Sequence, residues 1–595
     1  MVSSFRDIFC CITACAESEE EVALSLSSFS KANMPSESLR KRLHLFIVLD
    51  GQKDNAPDTH TFIALKKLLG ISPALTSDNS PIVTRENGCR VFHGFIENIP
   101  YSLYVKGDSL LSGKRYSILL FADVAHNVYL EENHHWISSI LFLDCDTRTT
   151  GRDIQCLLSS LEKDSKCGGV TGFLLVENTV PGNIIILLQE FYMYFYEHII
   201  NKAADTLFNK CTILNGCFSL IRYSAFRECL EELSKVPRDN DLNMINRLEL
   251  GEDRYITTLI ICKGYKTKYI PEAVAKTVVP DTSCSFITQQ RRWNQSILSN
   301  QIKLLFQEKR LLLRMSKMQF IQWFILFMQF IGIWTTLAVF SLIVEQGWYN
   351  NIFPKGCIAM GVWGYSVILA FTLINRAIDK IHIWVKCNLL IFTIIFNYGM
   401  ICAITDLIKL QNYLTLILIF IHPILLLILA IKSSKYTKRI RLICGFACNY
   451  FLGLPISNII YLYSFANLDN RSWGTRGVAQ ELLNQPLNHK FDNFFENRIY
   501  VKGSCKLQAA QEQDKYNITG FTKKMLGLIL FLVINFVLIE SMFMSKNFGF
   551  FVFKNVEIKS YFPILMALNL PNILRCLMSF LYHRSLGSEA VSNEM

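Results

Sequence analysis

The sequence predicts a soluble α/β domain, built on an open and mainly parallel sheet, joined to a bundle of membrane helices. Three observations predict it. The stretch Gln289-Gln290-Arg291-Arg292-Trp293 divides the chain: apolar runs before it are short and interrupted, and those after it are long. In the first half the apolar runs end in polar residues and alternate with helical patterns, as in sheets with helices on their faces. The 595 residues are 51% hydrophobic yet 18% charged, too apolar for an average soluble chain and too charged for membrane throughout.

The 60 Lys and Arg against 49 Asp and Glu leave a net charge of +11. Part of the excess lies beside apolar runs, at Lys309-Arg310, Arg314, Lys317 and Lys435 to Arg441. That placement fits cytosolic flanks of membrane helices and argues against nucleic acid as a partner. Met1 to Cys15 lacks a basic stretch followed by a clean apolar core, so no cleaved signal is expected. The 19 cysteines show no paired metal spacing, and Cys10-Cys11 and Cys145 read as small buried hydrophobes in a reducing cytosol.

In order, Phe9 to Ala14 is a short apolar run, followed by acidic Glu17 to Glu21 and a helical pattern through Leu26. Leu43 to Leu49 is a denser run ending in Asp50-Gly51, and similar endings recur at Tyr101–Lys106 and Ile140–Asp144. Ligands of such sheets sit beyond the C-terminal strand ends, where Asp50, Asp144 and Asp146 all fall. A carboxylate there is often only a solvated loop residue. Asp144-Cys145-Asp146 is a sharper signal, since acids at i and i+2 can turn hard oxygens toward one Mg²⁺ or Mn²⁺. Gly113-Lys114-Arg115 precedes Tyr116–Phe121 and is either a solvated basic turn or a pair of cations for a diphosphate. Ile184–Leu207 is helix-like, and Leu214-Asn215-Gly216-Cys217-Phe218 after it suits a sugar-pocket floor or an ordinary turn before a strand.

Glu252-Asp253 opens the amphipathic run Tyr255–Cys262. Acids suit a helix N-terminus, and equally Asp253 can be a general base with Glu252 positioning it. In the Gln289–Trp293 stretch, Arg suits phosphate by its planar fork, and Trp suits a sugar face or a membrane interface.

Seven motifs then stand in a familiar order: Asp50-Gly51; Gly113-Lys-Arg-Tyr-Ser; Leu143-Asp-Cys-Asp-Thr; Asn215-Gly-Cys-Phe-Ser; Gly251-Glu-Asp-Arg; Gln289-Gln-Arg-Arg-Trp; and Ser472-Trp-Gly-Thr-Arg. Together they resemble chitin synthase, a processive family-2 glycosyltransferase, over residues 8 to 480. The resemblance implies a Rossmann-like, glycosyltransferase A-type nucleotide-sugar domain. Thr13, Glu17 and Asp50 would surround the uridine, although Thr13-Ala-Cys-Ala-Glu17 replaces the family's usual Thr-x-Tyr-Asn-Glu. It places Lys114 and Arg115 on the diphosphate, Asp144 on donor and metal, and Asp146 as the direct metal ligand. Cys217 would line the acceptor site, and Asp253, beside Glu252, would be the base. Gln289, Arg292 and Trp293 would border a channel mouth, and Trp473, Thr475 and Arg476 would lie at its gate. Gln290 stands where the family's Gln-Arg-Arg-Arg-Trp run has an arginine, leaving Arg291 and Arg292 as the cations.

The implied reaction transfers N-acetylglucosamine from UDP-GlcNAc to the non-reducing end of a β-1,4 chitin chain, with inversion and with Mg²⁺ or Mn²⁺. The polymer then crosses the bilayer. A homodimer and a plasma-membrane location are further expectations from the resemblance. The competing readings are a cellulose- or hyaluronan-type synthase and a transporter with a degenerate transferase domain.

The domain plan follows: 1–280 cytosolic and catalytic, 281–318 interfacial with the Gln289–Trp293 stretch, 319–466 transmembrane, 467–520 cytosolic with Ser472–Arg476, and 521–595 transmembrane with a tail. Apolar runs of spanning length lie at Gln319–Val344, Cys357–Ile374, Asn388–Thr405, Tyr413–Ile431, Leu442–Phe465, Met525–Met544 and Tyr561–Leu581. A fifth full crossing would carry Ser472–Arg476 away from cytosolic UDP-sugar. Leu442–Phe465, with Asn449, Gly453, Pro455 and Asn458, is therefore expected to be broken or buried in protein. Six crossings then leave both termini cytosolic. Asn484–Asp514 reads as a polar cytosolic linker within reach of a partner protomer.

Overall fold

A computed structural model describes residues 6–53, 56–71, 82–86, 89–107, 113–126, 137–199, 213–235, 241–307, 317–348, 356–374, 378–409, 439–470 and 513–544, with isolated positions between. Ser472–Arg476, the linker 484–512 and the run Tyr561–Leu581 lie outside the described residues, as does nearly all of Tyr413–Ile431. The chain divides into two compact units. The first holds Met1–Thr179 and Asn209–Val279, and the second holds Val180–Phe208, Pro280–Asn470 and the chain from Gln513.

The first unit is organised by a mixed sheet. Its strands are β1 (Ile8–Ala14), β2 (Leu43–Leu49), β3 (Ile82–Glu86), β4 (Cys89–Ile96), β5 (Ile99–Lys106), β6 (Ser139–Asp144), β7 (Thr147–Arg148), β8 (Cys167–Val176), β9 (Phe218–Arg222) and β10 (Lys266–Thr277). The order across the sheet is β3-β4-β5-β2-β1-β6-β9-β8-β10-β7. β5, β2, β1 and β6 run parallel, which is the parallel core that the apolar runs predict. β2 is buried at every position, as a strand covered on both faces must be. The flanks depart from the expectation: β9 lies antiparallel between β6 and β8, and β4 is antiparallel to β5.

Helices α1 (Glu19–Ser27), α2 (His60–Leu68), α3 (Lys114–Val124) and α4 (Gly151–Lys163) connect the strands. α1 begins where the acidic run predicts, with Ser18 and Glu21 forming a capping box. α3 lays Ile118, Leu119, Phe121 and Ala122 into a core shared with Phe9, Phe46, Tyr104 and Phe142. Each of the Ile, Leu and Phe side chains removed from water stabilises the unit by about 1.5–3 kcal/mol. A last helix of this unit, counted after the next one in chain order, begins at Glu252.

The second unit begins with α5 (Ile184–Tyr192), which continues in wide π turns through Met193–Ile199. Its sequence neighbours are strands, yet it clusters with the membrane helices. The reason is local: its apolar face needs a partner, and it finds one in a long helix starting at Arg439. The Leu187 carbonyl lies so close to Gly445 that a Cβ there would come within 2.8 Å. Glu190 forms a two-oxygen pair with Arg441 at 2.9–3.2 Å, and Phe191 packs on Phe446 with ring centroids 6.0 Å apart.

In chain order the remaining α-helices of more than seven residues among the described residues are α6 (Glu252–Cys262) of the first unit, then α7 (Ser283–Ile302), α8 (Lys317–Trp348), α9 (Cys357–Leu373), α10 (Ile378–Lys409), α11 (Arg439–Ala466) and α12 (Gln513–Met544) of the second. Among the described residues three stretches are long and apolar enough to cross a membrane: Phe320–Glu345, Ile383–Thr405 and Arg439–Ala466. α9, at 17 residues, is shorter.

The expectation for Leu442–Phe465 is corrected. α11 runs unbroken for 28 residues with Pro455 inside it, and only 28% of its apolar window is buried within the protein. Proline removes the donor that would serve the Phe451 carbonyl. Asn397 of α10 supplies the replacement, its Nδ2 donating to that carbonyl at 3.0 Å. Asn535 of α12 works comparably on α8: its amide donates to the Trp334 carbonyl at 2.8 Å and accepts from the Ala338 N–H at 2.7 Å. Such repairs let helices keep polar or broken positions away from water.

Candidate active site

β1, β2 and β6 end on the same edge of the sheet, with Thr13 in register with Asp144. The Asp50 N–H donates to the Ala14 carbonyl at 2.8 Å, and the Cys145 N–H donates to the Thr13 carbonyl at 3.2 Å. Parallel pairing therefore gathers Thr13, Asp50 and Asp144 at one C-terminal edge.

Asp144 is the meeting point. Thr13 Oγ1 donates to its Oδ1 at 3.2 Å, and Lys114 Nζ lies 2.6 Å from the same oxygen. Lys114 also stands 3.8 Å from Glu252 Oε1. Burial pulls the Lys114 ammonium down, but Asp144, Glu252 and Asp253 together outweigh it and hold its pKa well above the usual lysine range. Two carboxylates, Asp144 and Glu252, thus meet one cation drawn from the first turn of α3.

Asp253 is set by two backbone donors. The Gly216 N–H donates to its Oδ2 at 3.2 Å and the Arg254 N–H to its Oδ1 at 2.7 Å. The turn before β9 is itself held, since the Leu214 N–H donates to Thr257 Oγ1 at 2.9 Å and the Asn215 N–H to Thr171 Oγ1 at 3.3 Å. Thr257 Oγ1 donates on to the Asp253 carbonyl at 2.9 Å. Position 216 has no room for a side chain, because a Cβ would come within 2.8 Å of Asp253 Cβ. Cys217, the next residue, is half-buried.

Asp146 Oδ1 accepts from Thr147 Oγ1 at 3.1 Å and from Thr277 Oγ1 at 3.4 Å. Among the described residues no three His, Cys, Asp or Glu side chains cluster as a metal cage. Mg²⁺ and Mn²⁺ on a diphosphate need only one or two carboxylates, the phosphates supplying the rest. Asp144 and Asp146 offer that donor set, and Lys114 already marks Asp144 as a seat for positive charge.

Asp50 does more than its sequence context suggests. Its Oδ1 accepts the Gly51 N–H at 2.8 Å, and its Oδ2 accepts the Gly113 N–H at 2.5 Å. Lys106 Nζ, on a residue only 3% exposed, lies 3.1 Å from that Oδ2 and donates to Ser117 Oγ at 3.3 Å. Gly113, at φ +120°, caps α3, so Asp50 and Lys106 together fix where Lys114 begins. Lys106 was legible as a lone cation ending an apolar strand, but its partner was not.

Glu17 braces the turn after β1, accepting the Cys15 N–H at 2.6 Å and, through its carbonyl, Thr61 Oγ1 at 2.8 Å. Arg115 departs from the expected phosphate contact: it is buried and Nη1 donates to the carbonyls of Leu233 and Lys235 at 3.0 and 2.9 Å. Lys114 and Arg115 are successive residues of a helix and cannot share one direction. Gln289, Arg292 and Trp293 are half-buried on α7, in the second unit. Trp473, Thr475 and Arg476 lie outside the described residues.

Against known proteins, residues 119–400 match the sequence model of a family described as chitin synthase. Chitin synthase 5 of Cryptococcus neoformans var. grubii is 27% identical over 349 residues, which is 50% of this chain and 18% of that protein. Chitin synthase 8 of Mycosarcoma maydis is 27% identical over 574 residues, covering 85% of this chain and 25% of that protein. The chain therefore spans about a quarter or less of the length of these two relatives. A solved mannosyltransferase of Pyrobaculum calidifontis, in complex with GDP-Man and Mn2+, aligns with a TM-score of 0.35 and 13% identity over 68% of this chain and 87% of that one.

Proposed function

We propose that this relative of the chitin synthases transfers N-acetylglucosamine from UDP-GlcNAc onto the end of a β-1,4-linked chain, with inversion. The observation that carries the reading is the pairing of Lys114 with Asp144 at a strand end and with Glu252 at the start of α6, where the next residue, Asp253, is held by the Gly216 and Arg254 N–H groups.

The chemistry requires charge control and one proton acceptor. Lys114, kept protonated by its neighbours, meets the donor diphosphate as a cation. Thr13, Glu17 and Asp50 line the uridine side, with Asp50 and Lys106 holding the start of α3. Cys217 and the turn before it border the acceptor. Asp253, oriented by the Gly216 and Arg254 N–H groups, takes the proton of the acceptor hydroxyl. The hydroxyl oxygen bonds to the anomeric carbon as the bond from that carbon to the diphosphate breaks, and UDP leaves with the electron pair. Glu252 keeps Lys114 charged and near Asp144. A Mg²⁺ or Mn²⁺ ion on Asp144 and Asp146 would neutralise charge on the leaving diphosphate. Arg292 would add charge beside the diphosphate, and Trp293, with Gln289, would stack and border the acceptor chain. Trp473, Thr475 and Arg476 belong to the exit gate in this reading.

The helices carry the polymer across the bilayer, with the sheet unit cytosolic and the plasma membrane as the site. A homodimer is part of the proposal by family resemblance. The test is purified protein in detergent with Mg²⁺ and radiolabelled UDP-GlcNAc, followed by chitinase digestion. Chitinase-sensitive polymer is expected, and Asp253→Asn should reduce it by at least about 10²-fold. Polymer made equally well by Asp253→Asn removes that residue from the base role, and no polymer from the unaltered protein ends the synthase reading.

A further inference from the structure

Within Gln289–Trp293, one residue behaves unlike the rest. Arg291 is 0% exposed and heads the largest wholly buried side chains among the described residues. Gln289, Arg292 and Trp293 keep partial exposure. A guanidinium is buried whole when its donors are engaged, and Arg291 Nη1 donates to the Asn470 carbonyl at 2.6 Å. One turn further along α7, Gln295 Nε2 donates to the carbonyls of Ser464 at 2.9 Å and Asn467 at 2.7 Å. The last carbonyls of a helix lack helical partners: at the end of α11 those of Ser464 and Asn467 accept the N–H groups of Asn467 at 3.3 Å and Asn470 at 3.1 Å, and Gln295 adds a second donor to each while Arg291 serves the Asn470 carbonyl.

The same corner receives two more elements. Asn467 Nδ2 donates to the Leu373 carbonyl, where α9 ends, at 3.0 Å. Lys524 of α12, whose side chain is 0% exposed, pairs with Asp469 at 2.9 Å. Burial lowers the Arg291 pKa to about 10, with Arg292 adding to the effect and Tyr463 and Asp469 opposing it. It stays charged at neutral pH.

We infer that Arg291 and Gln295 are positioning residues that peg α7 to the end of α11 and so set the angle at which α7 presents Arg292 and Trp293. Residues 291 and 295 share one helix face, while Trp293 points about 200° away from Arg291. The peg and the presented face therefore lie on opposite sides of one rod. The inference rests on the proposed function, because it takes Arg292 and Trp293 to face substrate. In that function Trp293 and Gln289 hold the acceptor chain, while the diphosphate is met by Lys114 and Asp144 with Arg292 only adding to them, so loosening α7 removes the acceptor's platform and weakens donor activation only in part. Water then replaces the acceptor hydroxyl: UDP-GlcNAc and water give UDP, free N-acetylglucosamine and a proton.

The experiment measures UDP release, polymer and free N-acetylglucosamine together, in the full-length protein in detergent, for Arg291→Lys and Gln295→Leu. Gln295→Leu removes only neutral hydrogen bonds and is read separately, so that misfolding of the arginine variant does not decide the matter. The expected result is a polymer-to-free-sugar ratio lowered on the order of tenfold, with UDP release falling by less than polymer does. A purely structural role lowers UDP release and polymer in proportion; an unchanged ratio in Gln295→Leu overturns the inference. Unaltered protein that makes no polymer overturns the proposed function, and this inference with it.

Discussion

A single lysine decides the electrostatics of the site. Lys114 has its pKa raised by three carboxylates that outweigh its burial. A raised folded-state value means that its stabilisation is complete below the ordinary lysine value of roughly 10.4 and is lost as the pH rises through the folded value. The pH profile of kcat/KM should therefore show no lysine limb below about pH 10; a limb near neutrality that Lys114→Arg shifts would contradict the ion-pair picture. Gly216 is a second single-residue control. A methyl at 216 collides with Asp253 Cβ, so Gly216→Ala should lower kcat by about 10²-fold while leaving donor KM within a few-fold. A kcat like that of the unaltered protein would mean the placement of Asp253 is not set by this contact.

Helices in this chain are repaired by their neighbours. Pro455 sits in α11 without breaking it because Asn397 serves the Phe451 carbonyl. Asn397→Leu leaves that carbonyl without its donor and should cost about 1–3 kcal/mol, read as a lower thermal midpoint in detergent. An unchanged midpoint would mean that the proline is accommodated by other means. Sequence reading noticed Pro455 and misjudged its meaning. Pro455, with Asn449, Gly453 and Asn458, signalled a break, since proline within an apolar run usually does; Asn397 stood alone on another run. Only the packing of α10 against α11 makes one the answer to the other. Similarly, the apolar-to-polar endings of β1, β2 and β6 were readable, and the antiparallel insertion of β9 between β6 and β8 was not, because pairing partners of a short strand are chosen by the whole sheet.

The two units do not follow the order of the chain. Residues 180–208 leave the sheet unit and join the helical one, where α5 packs on α11 through Gly445, Arg441 and Phe446. A fragment ending at residue 279 would expose that apolar face of α5 and strand Glu190 without Arg441. It should aggregate on expression, and replacing 180–208 by a Gly/Ser linker should raise the soluble fraction several-fold, since burial of such a face is what keeps it from self-association. Equal solubility of the two fragments, measured by sedimentation after lysis, would show that α5 is content without α11.

Local chemistry made much of this protein readable in one dimension. Strand ends bearing Asp50, Asp144 and Asp146, acids opening the helix at Glu252, and runs long enough to span a bilayer are all properties of neighbouring residues, and periodicity and spacing report them. What needed three dimensions was every pairing across the chain. Lys106 with Asp50, Gly216 with Asp253, Arg115 turned to two carbonyls, and Arg291 spent on the end of α11 each join residues far apart in sequence. A buried charge is tolerable only beside its partner, and which partner stands there is a consequence of packing that no run of adjacent residues records.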